Sequence, residues 1–193
     1  MNFETLDVAT PVGAEDVALC RRLLITEWPH VALPIRAVHA RRPVTLHGSA
    51  SVVRGTHWLS WLLGWIVGLP PAQSNGPVSV ILELTHAGTR ERWTRVFGDA
   101  APMQSSLRRV GVCVEERLGL LKLRFRYSLE GGAIRWTAVA GHTLGVPWPR
   151  SWLRGIEASE SQRGTQYYFN VRAALPGVGL IVHYVGVLDT VNA

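Results

Sequence analysis

Leu121-Lys122-Leu123-Arg124-Phe125-Arg126-Tyr127-Ser128-Leu129 alternates without a break, five apolar or aromatic residues against four polar ones. A β-strand sends successive side chains to opposite faces, so this segment predicts a strand with one buried and one wet face. The same period carries Tyr167, Phe169, Val171, Ala173 and Leu175 against Gln166, Tyr168, Asn170, Arg172 and Ala174. It also carries Val78, Val80, Leu82 and Leu84 against Ser79, Ile81 and Glu83. Further strands are expected over 45–54, 90–97, 104–109, 112–116, 133–144, 155–161 and 180–188, about ten in all. Turn residues separate them: Ala87-Gly88, Glu130-Gly131-Gly132 and Pro176-Gly177-Val178-Gly179. Connections this short pair neighbours antiparallel, and a long antiparallel run must close or fold over to hide its edges. The reading is mainly β: an antiparallel calycin-like or half-open β-barrel of about eight to ten strands, with a sandwich as the alternative.

One segment breaks the strand period. His57-Trp58-Leu59-Ser60-Trp61-Leu62-Leu63-Gly64-Trp65-Ile66-Val67-Gly68-Leu69 is apolar nearly all round and ends at Pro70-Pro71. It is well short of the roughly 20 residues that span a bilayer, so it reads as a helix, residues 57–68, inserted after the first strand and covering one end of the barrel. Trp58, Trp61 and Trp65 share one helical face. Upstream, Glu15 and Asp16 suit the start of a helix over 14–28 that Pro29 ends, and Pro34 suits the first turn of another through about residue 40. Residues 1–43 are therefore expected to be a tail and helices packing on a barrel of residues 44–193.

The chain of 193 residues is 47% hydrophobic and 18% charged, enough for one well-buried core and short for two domains. Its net charge of +6 comes from 19 Arg and the single Lys122, yet no run or basic helix concentrates it, so nucleic-acid binding is not expected. Cys20 and Cys113 are too few for a disulfide framework and read as reduced, apolar-like residues. Acid stands in Met1–Asp7 where a secretory signal carries base, and a cytoplasmic location is expected.

No phosphate loop, dinucleotide fingerprint, HExxH, CxxC or nucleophile elbow appears. His39, His47 and His57 fit no metal spacing and are expected at the surface or satisfied at a barrel rim, so neither metal nor cofactor is expected. The polar residues set among aromatics are Glu83, Arg95, Arg126, His142, His183 and Tyr184. Glu83, if inward, would be a general acid or base with a raised pKa; the alternative is a solvated outer face paired to Arg95. Tyr184 shares a face with Leu180, Val182 and Leu188 and is the best candidate for a polar group in a pocket; His142 completes the catalytic candidates. Trp58, Trp61, Trp65, Trp93 and Trp136, with Arg95, Arg126 and His183, are the candidate ligand-binding residues, the tryptophans either boxing an apolar ligand or filling the core.

Several segments together resemble domain-of-unknown-function family 4166, over about 33–188. They are Leu33-Pro34-Ile35-Arg36-Ala37-Val38-His39, Leu69-Pro70-Pro71, Glu91-Arg92-Trp93-Thr94-Arg95-Val96-Phe97-Gly98, Glu116-Arg117-Leu118-Gly119, Leu144-Gly145-Val146-Pro147-Trp148-Pro149-Arg150, Phe169-Asn170-Val171, and Leu175-Pro176 through Tyr184-Val185-Gly186. The family brings no established activity, and the resemblance implies an association with NAD(P)-binding oxidoreductase-like or membrane proteins. Val187 stands where the family usually has tryptophan, and Arg154 where it has proline. If that tryptophan lines a pocket, the pocket here is wider.

Three functions follow as expectations. The first is a barrel that encloses a hydrophobic polyketide-, terpenoid- or lipid-like molecule and promotes a cofactor-free cyclisation or isomerisation, chemistry that needs shape more than a triad. The second is a non-catalytic accessory domain docking by its tryptophan helix onto an oxidoreductase or membrane partner. A third, lipid transport or sensing, shares the pocket but not the chemistry, and a homodimer is admitted alongside each.

Overall fold

The computed structural model describes residues 18–40, 43–72, 77–87 and 89–190. The start of the first predicted helix, 14–17, and Gly88 lie outside them. The strands are β1 (Val44–Arg54), β2 (Val78–Ala87), β3 (Arg90–Phe97), β4 (Met103–Val110), β5 (Cys113–Leu118), β6 (Leu121–Glu130), β7 (Ala133–Thr143), β8 (Val146–Pro147), β9 (Ile156–Arg163), β10 (Gln166–Leu175) and β11 (Gly179–Leu188). All neighbours pair antiparallel in one sheet of eleven strands, in the order β6-β5-β4-β3-β2-β1-β11-β10-β9-β7-β8, and β6 also pairs with β7. That last pairing closes ten strands into a calycin-like barrel and leaves only the two residues of β8 outside the ring. Gly131 and Gly132, at φ 57° and 84°, make the tight hairpin turn between β6 and β7 that the sequence calls for.

Alternation carries the inside of the barrel. Leu123 and Phe125 on β6, Ile134 and Trp136 on β7, Tyr167 on β10 and Val182, Tyr184 and Leu188 on β11 are all buried. Two irregularities break the period. On β7 the register slips at Val139, since Phe125 faces Ala138 but Arg124 faces Ala140. Before this bulge the even-numbered residues of β7 point inward; after it the odd-numbered ones do, as the buried Gly141 shows. The second slip lies between β10 and β11, at Ile181.

The helices close the two ends. α1 (Leu19–Leu23), a 3₁₀ turn (Trp28–His30) and α2 (Leu33–Val38) sit at the end where β3 begins and β9 finishes, with Leu19, Cys20, Leu24, Ile35 and Val38 in the core. The helix expected through Trp28 stops at Leu23, because Leu24 leaves helical geometry (φ −103°, ψ 38°) and its N–H returns to the Cys20 carbonyl. α3 (Trp58–Val67) covers the opposite end and finishes on Gly68 in the left-handed conformation, φ 67°. It runs from β11, where Ser60 Oγ donates to the Ile181 carbonyl, to the turn between β5 and β6, where Gly119 approaches the Ile66 carbonyl. Those points lie on opposite sides of the ring, so the helix crosses the mouth. α4 (Arg150–Leu153) fills the gap where β7 and β9 part. Both cysteines are buried and neither is in a disulfide.

Candidate functional site

Beneath α3 the barrel holds a cavity of about 190 Å³, roofed by Leu63, Ile66 and Val67 and walled largely by aromatic and aliphatic side chains. Trp136 is the centre of one wall. Its ring meets Trp93 edge-on at 5.6 Å, Phe125 at 5.6 Å and Tyr127 at 4.6 Å. Phe97 and Phe169 pack edge-on against Tyr184 across the barrel. Such edge-to-face contacts add specific geometry to plain apolar burial.

Polar groups enter this apolar space in two clusters. Arg95 points inward from β3 because it faces Leu82 and follows Trp93 in the inward series. It donates to Ser105 Oγ at 3.1 Å, reaches Glu116 at 3.5 Å and lies over the Trp93 ring at 5.0 Å. The second cluster lies toward the α1–α2 end. His39, at the end of α2, meets Glu160 of β9 at 2.7 Å, both buried. Glu91 accepts from the Leu19 N–H at 2.6 Å and from Trp93 Nε1 at 3.1 Å, so a barrel carboxylate caps a helix that has no side-chain cap of its own. Two buried polar atoms at the cavity are poorly met: Trp136 Nε1 has no hydrogen-bond partner, and Glu160 Oε1 has only the neighbouring Tyr167 hydroxyl, outside good hydrogen-bond geometry. Trp136 faces Ala158 across β7 and β9 while Glu160 faces Ile134, so the two are diagonal neighbours on one wall.

Burial pushes the Tyr184 phenol above its ordinary value, with Arg95 pulling the other way. Tyr127 and Tyr167 are raised well above theirs by burial first; neighbouring Cys20 and Glu160 add to this at Tyr127, and at Tyr167 the Glu160 carboxylate adds both its charge and a hydrogen bond. All three therefore stand as neutral hydroxyls, groups that can donate a hydrogen bond or a proton and do not serve as bases.

The candidates from the sequence divide cleanly. Trp93, Trp136, Arg95 and Tyr184 line the cavity. Trp58, Trp61 and Trp65 do not: they are 66%, 72% and 76% exposed on the outer face of α3, and the leucine and valine side of the helix roofs the cavity in their place. Glu83 is exposed on the outer face of β2, facing Thr94, and Arg95 on the inside cannot be its partner. Arg126 is exposed on the outer face of β6 between two inward aromatics. His183 is outward on β11 and bonded to Asn170 at 3.0 Å. His142 would face inward if β7 were regular, and the Val139 bulge turns it out, opposite Lys122. Val187 likewise lies on the outer face, opposite Ser49 and Tyr168, so its departure from the family pattern does not widen the cavity.

His39 meets the second of its two expectations, a satisfied partner at one end of the barrel. Glu91, Glu116, Glu160 and Trp148 were not among the candidates. Parity held the signal for three of them: Glu91 is in step with Trp93 and Phe97, Glu116 with Val114 and Leu118, and Glu160 with Ile156 and Ala158. Arg54 was also missed. It donates to Ile181 O at 3.1 Å, Ser60 O at 2.7 Å and Pro70 O at 3.1 Å, tying both ends of α3 to the barrel rim. Its burial lowers its pKa. No group of three or more potential metal ligands occurs among the described residues.

A search of curated proteins finds no match. Among solved structures, that of Rv2717c from M. tuberculosis is similar over 82% of this chain and 98% of that one, with 17% identity and a TM-score of 0.41. The family model for DUF4166, a domain of unknown function, matches residues 32–188. The chain that builds this lidded barrel belongs to the DUF4166 family.

Proposed function

We propose that the barrel encloses one small, mostly apolar molecule bearing a hydroxyl-like group. The observation that carries this reading is an apolar cavity in whose wall a buried indole N–H lacks a partner, diagonal to a buried carboxylate whose one oxygen is met only by the Tyr167 hydroxyl. An unsatisfied buried polar group costs about 1–3 kcal/mol, so a native structure that keeps such an N–H beside a void has a use for it. A hydroxyl answers both groups, accepting from Trp136 Nε1 and donating to Glu160 Oε1. An engineered cavity of about 150 Å³ takes benzene, so a ligand of roughly ten heavy atoms is the fitting size, the small end of the terpenoid- or polyketide-like range.

Turnover is the finer part of the proposal. A cofactor-free isomerisation or cyclisation needs the substrate held in a reactive shape and a proton donor or acceptor at the wall. Glu116, Glu160 and the neutral Tyr184 hydroxyl would do that work, with Arg95 setting the charge beside them, since all four line the cavity. Calorimetric titration with 2-naphthol and with naphthalene tests the binding step. The hydroxylated probe should bind at least about tenfold more tightly, a difference worth about 1.4 kcal/mol. Trp136→Phe should bring the two probes close to parity, and Ala158→Leu, which fills the cavity beside Trp136, should abolish both. If neither probe binds the wild-type chain, the reading fails.

A further inference from the structure

The large exposed apolar side chains crowd one end of the barrel. Trp58, Trp61 and Trp65 stand out from α3 at 66%, 72% and 76% exposure, and Leu120, Leu144, Val146 and Trp152 continue the patch at 49%, 74%, 66% and 37%. The pieces are contiguous. Gly119 approaches the Ile66 carbonyl, the Leu144 N–H meets the Leu120 carbonyl at 3.4 Å, and Trp152 packs edge-on against Trp148 at 5.5 Å. The other exposed large apolar residues, Ile25, Leu33, Val53, Val112 and Val139, are distributed over other elements and turns. A contiguous apolar patch of this kind marks an interaction site.

What covers it follows from its chemistry. Three indoles on one face of a short helix match the residues that settle at the level of lipid headgroups. The polar residues around the patch are mostly basic: Arg117, Lys122, Arg150, Arg154 and Arg172 are exposed there, against the exposed acids Asp99 and Glu157, and the chain carries +6 overall. No helix among the described residues is long and apolar enough to cross a membrane, so α3 would lie on the surface. We propose that α3 and the adjoining turns form a docking face for an anionic lipid bilayer. The other side of α3 roofs the cavity, which sets the barrel mouth against the bilayer. Passage of a ligand between bilayer and cavity rests on the ligand reading above; docking does not.

Flotation of the full chain with vesicles of phosphatidylcholine alone, and of phosphatidylcholine and phosphatidylglycerol in equal parts, is the test, with no ligand added. The wild-type chain should float with the anionic vesicles and far less with the neutral ones. The Trp61→Asp/Trp65→Asp pair should partition at least about tenfold less, since each change swaps an interface-seeking ring for a charge. Arg117→Glu/Lys122→Glu should lose about fivefold or more per charge on the anionic vesicles alone. Unchanged unfolding midpoints would show these surface variants to be folded. Absence of wild-type association at low salt, or a tryptophan double variant that floats like wild type, overturns the proposal. So does a wild-type dimer that the same variant converts to monomer while neither binds vesicles, because the face is then a contact between copies. The naphthol titration reads the cavity alone, so either experiment can fail without the other.

Discussion

Arg95 and Glu116 meet inside the barrel with side chains only 12% and 10% exposed. Removing one member of a buried pair strands the other, a loss of about 3–5 kcal/mol, whereas replacing both with apolar residues of similar size is close to neutral. Glu116→Leu alone should therefore lower the unfolding free energy by about 3 kcal/mol, and Arg95→Met/Glu116→Leu should recover most of it. Urea titration of the two variants checks this. The buried tyrosines give a pH dependence. Tyr127, Tyr167 and Tyr184 keep their protons to higher pH in the folded chain than in the unfolded one. Their contribution is complete below the unfolded phenol value of about 10 and is lost as the pH climbs from there toward the raised folded values. Unfolding free energy should fall through that alkaline window, and Tyr184→Phe should flatten the slope by up to about 1.4 kcal/mol per pH unit. At this scale the sequence was half legible. Period-2 alternation sorts residues into two faces, and it placed Tyr184 rightly with Val182 and Leu188, while the slip at Ile181 takes Leu180 off that face; Arg95 has the parity of Trp93 yet reads as a surface charge when residue type is weighed first. The partners Glu91 and Glu160 reach across 72 and 121 positions of chain to Leu19 and His39, a separation that no local pattern reports.

α3 is held by contacts that its own sequence hardly announces. A Cβ on Gly64 would collide with the Arg54 guanidinium, and that guanidinium is bonded to carbonyls at Ser60 and Pro70, on either side of Gly64. Gly64→Ala should push Arg54 away and free the roof, costing on the order of 1–3 kcal/mol through carbonyls left without their donor. Hydrogen exchange should speed in α3 and at the Leu69–Pro70 turn while β6 and β7 stay protected. Equal acceleration across the barrel would mean that the helix is part of the core and not a lid. The tryptophan segment was legible as a helix from its length and as a cover from its place after β1. Which stripe faces in was not legible, because Leu, Ile, Val and Trp surround the axis and the small Ser60 and Gly64, the buried residues of this helix, decide the docking side. The bulge at Val139 was illegible for a related reason. Nothing in Ala138-Val139-Ala140 marks a break, yet it reverses the rest of β7 and takes His142 out of the barrel.

For the molecule as a whole, closure settles what strand counting could not. The β6–β7 pairing makes a ring and excludes both the half-open form and the sandwich. Helices then close one end with a polar-linked plug and roof the other with the apolar underside of α3. Filling that interior should stabilise the fold while abolishing binding: Ala158→Leu should raise the thermal midpoint or leave it unchanged, because the void takes up the added methyl groups without strain. A fall of several degrees would show that the space is already packed. The account stands or falls on whether the barrel is hollow and apolar beneath α3. Crystals pressurised with xenon give the most direct measurement, since xenon occupies empty apolar cavities. Xenon density enclosed by Trp136, Phe125, Tyr184 and the underside of α3 is the predicted result, and side chains packed across that space with no xenon site would contradict it.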